Sequence, residues 1–419
     1  MTESNQKATR LGLYESIHNL DLDDTKSLLD IQLRLADAIL DGESNGRQPT
    51  QFDRHTFLLR RCQDALAFRL LVPHAIRQLL GTASPKPHSL AGQGQAFNVT
   101  RDRAKSYAEQ GHQVLLADLS HVIRLGDIIV CDNPFVPSII EVKAGVVRPE
   151  NILQGRRGRQ ASRSGGTVEY LKTDAAKIYE QALPKVAVQS KEAMHFSWDC
   201  VNEVALSALR DGEAVVHVSD FDVLLGIHAA GGRPVTIDRI MDSLARMRSP
   251  LIASHAFALL NPELLIRPPI VWPIDNGPLI PLMEEELILL HAIDLERFKD
   301  PLEEGFQVLA VSHASGFSTE RHGERGTAAS RFIDDALFGY ATIESVVSAM
   351  RELHDLAKIA LQSQTKPPAP KALGASAIQS EQLEPFSNPV AIMDTKEARY
   401  KIAPIVNKSE TGREGIEPP

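Results

Sequence analysis

The sequence predicts a mixed α/β (α+β) protein, because short apolar runs alternate with helical stretches along most of its 419 residues. A hydrophobic share of 43% and a charged share of 24% are ordinary for a folded globular chain. No run of about 18 apolar residues suggests a membrane span. The 45 basic and 54 acidic residues leave a net charge of −9, which argues against a basic coat over the whole surface. Local charge can still attract phosphate, since its field acts over roughly 8–10 Å.

Residues 1–50 predict a helical leader without a signal-peptide pattern. Within it, 22–41 reads as an acid-capped helix with Leu28, Leu29, Leu33, Leu35 and Ile39 as its apolar stripe, and Gly42 as its stop. A longer helical region follows over 53–80, interrupted near Pro73, then a Gly/Pro/Ser-rich loop and a short helix near 99–110. From His112 the pattern changes to strands: 113–120, 121–133 and 136–145. An arginine-rich stretch over 149–181 is compatible with helix. Beyond it, strands are expected at 186–189, 214–218 and 269–272, and helices at 200–210, 236–248, 281–298, 328–340 and 342–362. Residues 313–326 read as a flexible polar loop.

Eight prolines among the last 57 residues oppose regular structure, so 363–419 is expected to be a disordered tail. The three cysteines, Cys62, Cys131 and Cys200, form no CxxC pair. They fit a reducing, cytoplasmic setting.

One passage carries chemistry. Gly126-Asp127 opens the apolar run Ile128-Ile129-Val130, a turn containing Asn133, Pro134 and Pro137 follows, and the chain returns through Ile139-Ile140-Glu141-Val142-Lys143. This predicts a β-hairpin. Period-two alternation puts Glu141 and Lys143 on one face, and Ile140 and Val142 on the other. If Asp127 shares the Glu141 face, two carboxylates and an ammonium meet at one end of the hairpin. Two carboxylates can hold Mg²⁺ or Mn²⁺, and a neighbouring lysine can orient a water or stabilise charge on a phosphate. A solvent-facing Glu–Lys pair on an edge strand would read the same.

The spacing Gly126-Asp127, thirteen residues, Glu141-x-Lys143 resembles the PD-(D/E)xK nuclease superfamily, the restriction-endonuclease-like fold. Gly126 stands where the family name has proline, and no QxxxY element follows the lysine. The resemblance covers a nuclease-like core over 51–190. It implies a mixed sheet flanked by helices, with Asp127 and Glu141 as metal ligands, the Val142 carbonyl as a further ligand, and Lys143 as the catalytic lysine. It also implies an acid on the preceding helix, for which Glu109 and Asp64 are candidates, each otherwise an ordinary surface acid.

Seven basic residues against Glu150 and Glu169 make 143–172 strongly positive in an acidic chain. Arg156, Arg157, Arg159, Gln160 and Arg163 are therefore candidate nucleic-acid contacts, suited to phosphate. A solvated basic loop is the plainer reading. The expectation is a Mg²⁺-dependent nuclease hydrolysing DNA, in restriction, defence or repair, without a membrane partner. The alternative is an inactive nuclease-fold module that binds nucleic acid, or a protein partner through the accessory α/β region, 191–362, or the tail.

Overall fold

The first element already commits its buried face to a distant part of the chain. In this computed structural model, helix α1 (Glu3–His18) buries Arg10, Leu13, Tyr14 and Ile17. The Arg10 guanidinium grips Glu284 through two hydrogen bonds of 2.7 Å, and the Tyr14 hydroxyl donates to the same carboxylate at 2.9 Å. Burial alone would raise the Glu284 pKa. The Arg10 and Tyr14 bonds outweigh it and hold that carboxyl below its ordinary value.

The structure describes residues 3–44, 53–80, 89–134, 137–140, 142, 198–219, 222–228, 242, 244–300, 305–328, 331–338 and 343–363. Residues 1–369 form one compact unit, and a second unit, 370–419, lies outside the described residues, as does the expected tail after Ser363.

Helix α2 (Thr25–Ser44) starts at the anticipated acid: Asp24 accepts from the Ser27 N–H at 3.0 Å. It runs through Gly42, contrary to the expected stop. A Cβ at Gly42 would lie 2.8 Å from Thr56 Oγ1, so the glycine serves close packing on α3 (Arg54–Leu70). Asp53 caps α3, and Pro73 opens α4 (Pro73–Leu80) at the anticipated interruption. Helix α5 (Gln95–Glu109) leads into β1 (Val114–Leu116), which ends in a 3₁₀ turn over Ala117–Leu119. Strands β2 (Ile128–Val130) and β3 (Ser138–Ile140) complete an antiparallel sheet ordered β1-β2-β3.

A helix over 198–211, here α6, precedes β4 (Glu213–Ser219) and β5 (Asp222–His228). Then come β6 (Pro250–Ser254), α7 (His255–Leu260), α8 (Asn276–Met283) and β7 (Leu287–Asp294). The second sheet has the order β4-β5-β7-β6, again antiparallel. Strands β8 (Phe306–Ser312), β9 (Gly316–Arg321) and β10 (Glu324–Ala328) form a third, followed by α9 (Arg331–Phe338) and α10 (Ile343–Ser363).

Three expectations are corrected. Residues 269–272 form a 3₁₀ turn, because Pro268 and Pro269 withhold the N–H groups a strand needs. The span 281–298 is helical only to Met283. Glu285 takes a left-handed backbone at φ +59°, and the buried run that follows is β7. The supposed loop 313–326 is the β8–β9–β10 meander. His322 and Gly323, at φ +51° and +82°, make the two-residue turn between β9 and β10.

The described residues are α+β with antiparallel sheets. The parallel strand of a mixed sheet is not among them, and the outer edge of β1 is already occupied. Gln32 of α2 donates to Val114 O and accepts from Leu116 N, both at 2.8 Å, while Gln63 of α3 donates to Gln32 Oε1 at 2.8 Å. Two side-chain amides thus complete the ladder where a neighbouring strand would pair. Among the described residues, no helix is long and apolar enough to cross a membrane. The cysteines are unpaired.

Candidate functional site

Strands β2 and β3 form the anticipated hairpin, with Ile128 opposite Ile140, Ile129 opposite Ile139 and Val130 opposite Ser138. Asp127 lies just before β2, where the ladder becomes irregular. In a regular antiparallel strand one residue aims its N–H and C=O at the same neighbour. Asp127 divides them: its C=O accepts from Ala117 N at 3.0 Å, and its N–H donates to Ile140 O at 2.9 Å. The preceding peptide turns to allow this, and Gly126 sits at φ +75°. The Asp127 carboxylate is thereby directed along the sheet, and its Oδ2 accepts from the Val142 N–H at 2.5 Å.

Asp127 is half-buried, and burial pushes its pKa above the usual carboxylate value while the Val142 N–H pulls the other way. A carboxylate so placed suits a hard cation such as Mg²⁺, which takes one or two carboxylates and keeps several waters.

The approach to Asp127 is rigidly held from below. Asp64 of α3 is fully buried and pairs with Arg61 at 2.7 Å. Its Oδ1 accepts from the Ser120 hydroxyl at 2.6 Å, from His121 N at 2.8 Å and from Val122 N at 3.2 Å. Ser120 Oγ in turn accepts from Ile123 N at 2.9 Å. The His121 ring lies against Phe57, 4.6 Å between centroids, and burial lowers its pKa to about 4, only partly opposed by Asp64. Arg124 N donates to Leu79 O at 3.0 Å. This network pins 120–124 onto α3 and α4, and the chain enters Gly126 from a fixed direction. At the far end of the hairpin, Val72 N donates to Pro134 O at 3.1 Å.

Asp64 is therefore an interior structural acid, against the expectation of a surface one. No periodicity announced it; the only trace was an Arg–Asp pair three residues apart on an apolar helix. Gln32 and Gln63 also escaped notice, since a glutamine in a helix carries no sign of the strand edge it meets. Glu109 is exposed at the C-terminal end of α5. It stands by the end of the sheet where Cys131 N meets Gln113 O, opposite the Ala117–Asp127 end.

Glu141, Lys143, Arg156, Arg157, Arg159, Gln160 and Arg163 lie outside the described residues, as do the expected helix at 149–181 and strand at 186–189. Among the described residues, no group of three or more His, Cys, Asp or Glu is placed to hold a metal ion. No family model matches the chain, and no curated protein or solved structure is detectably similar to it.

Proposed function

We propose that this protein is a Mg²⁺-dependent nuclease with a restriction-endonuclease-like core, hydrolysing DNA phosphodiester bonds in a cytoplasmic setting. The observation that carries the reading is Asp127: a half-buried acid at the open end of a hairpin, its carboxylate held by the N–H of Val142, inside the Glu141-Val142-Lys143 triplet. In sequence, Glu141 lies between Ile140, whose C=O accepts from the Asp127 N–H, and Val142, whose N–H binds the Asp127 carboxylate.

Asp127, Glu141 and the Val142 carbonyl would hold the ion. When bound, it supplies charge neutralisation at the phosphate and an acidified water. Lys143 orients the attacking water or stabilises negative charge on the phosphate oxygens. Arg156, Arg157, Arg159, Gln160 and Arg163 grip the backbone on either side of the scissile bond, giving affinity without sequence choice.

The test incubates full-length protein with plasmid, linear and single-stranded DNA in Mg²⁺ or Mn²⁺, beside Glu141→Ala and Lys143→Ala. Cleavage that needs the metal and falls at least about 100-fold in both variants supports the reading. DNA binding without cutting in either metal would select the inactive binding module. Cleavage at full rate by both variants would remove the assignment of the site.

A further inference from the structure

We infer that Gly126 is the positioning residue of this site: its left-handed backbone aims the Asp127 carboxylate at the Val142 N–H. The inference rests on the nuclease reading for what Asp127 does, and on the hairpin alone for how Asp127 is aimed. Two independent features restrict position 126 to glycine. The first is φ +75°, where a Cβ is disfavoured and a proline, fixed near −65°, cannot go. The second is space. A Cβ there would lie 2.5 Å from Ile139 Cγ2 and 3.3 Å from Ile140 O.

Relaxing either restraint by returning the backbone to a strand conformation would swing the Asp127 N–H from Ile140 O back toward β1. The carboxylate would turn with it. A bulge of this kind re-aims one side chain without moving the strands on either side.

The experiment separates collision from backbone. Ile139→Ala removes the obstructing methyl and is expected to bind Mn²⁺ like the wild-type full-length protein, read from the free Mn²⁺ spin-resonance signal. In that background Gly126→Ala should weaken Mn²⁺ by about ten-fold or more. Gly126→Asn should stay within about three-fold, because asparagine tolerates the left-handed region.

A second readout is the Val142 amide proton in ¹⁵N-valine-labelled protein, taken well below each melting temperature. It should lie downfield in the wild type and the asparagine variant, where the Asp127 carboxylate accepts it, and move upfield with alanine. Gly126→Ala alone gives the same amide test should the double variant not fold. A merely structural glycine would lower the melting temperature and leave both readouts unchanged in the folded protein.

An alanine variant that binds Mn²⁺ as tightly as Ile139→Ala, with the Val142 shift intact, overturns the inference and leaves the nuclease reading standing. Asp127→Asn and Glu141→Ala that both bind Mn²⁺ like wild type overturn the reading itself.

Discussion

Asp64 and Asp127 are two acids of the same half of the chain in opposite circumstances. Asp64, with no exposed surface, holds an arginine, a serine hydroxyl and two backbone N–H groups. Asp127, half-buried, receives one backbone N–H and has its pKa pushed up by burial. Full satisfaction marks an acid that holds the fold together. An acid left raised and directed toward a strand end is the kind that gains most from a cation. The first fixes the chain at 120–122, and the second is delivered by that fixed chain a few residues later.

The largest effect should come from breaking the better satisfied acid. Asp64→Asn leaves Arg61 charged in the interior and should cost about 3–5 kcal/mol in urea unfolding. Replacing Arg61 and Asp64 together by Met and Leu should recover only part, because His121 and Val122 N–H then lose their acceptor. A loss below about 1 kcal/mol for Asp64→Asn would erase the distinction drawn between the two acids.

Next is acid sensitivity. Burial holds His121, His255 and His291 near pKa 4, below the ordinary 6.5. As pH falls from 6.5 to 4, the unfolded chain takes up protons that the fold excludes, so stability declines across that window. Each site contributes up to about 3 kcal/mol. The urea midpoint measured from pH 7 to pH 4 should fall steadily, and His121→Asn should flatten the fall.

Gln32→Ala should cost about 1–3 kcal/mol, since Leu116 N and Val114 O lose their partners in the interior. Thermal unfolding checks it.

The smallest stability effect belongs to Asp127, and its sign is opposite. A folded pKa above the unfolded one means that stability is greatest with the proton on, and is lost as pH rises through the raised value. Asp127→Asn should therefore be neutral or stabilising at pH 7 in urea unfolding, and on the nuclease reading it abolishes metal-dependent cleavage. Marked destabilisation would make Asp127 a second Asp64.

Local signals made much of this fold readable. The acid-rich start of the helix at 22–41, the proline at 73 and the turn around Asn133 and Pro134 each act within a few residues, and the elements beside them fall close to where those signals place them. Strand β7 is hidden in the sequence because its opening run, Leu287-Ile288-Leu289-Leu290, is apolar at every position and lacks the alternation that separates strand from helix. The β9–β10 turn was hidden because His322 holds a place where asparagine is usual. At the candidate site, the spacing to the later acid and lysine singles out Asp127 in the sequence. The irregular pairing that directs it is not legible there, because the identity of a glycine says nothing of its φ. The Asp64 network depends on three chain segments meeting, which no local pattern encodes.

The grip of Arg10 on Glu284 spans 274 positions of sequence. At roughly 5–20 residues per second, a ribosome needs tens of seconds between delivering the first residue and delivering the second. Throughout that interval the first helix carries a buried-type arginine, a tyrosine and two large aliphatic side chains with no acid to receive them. Synthesis from the amino end is therefore a period of exposure for residues 10–17.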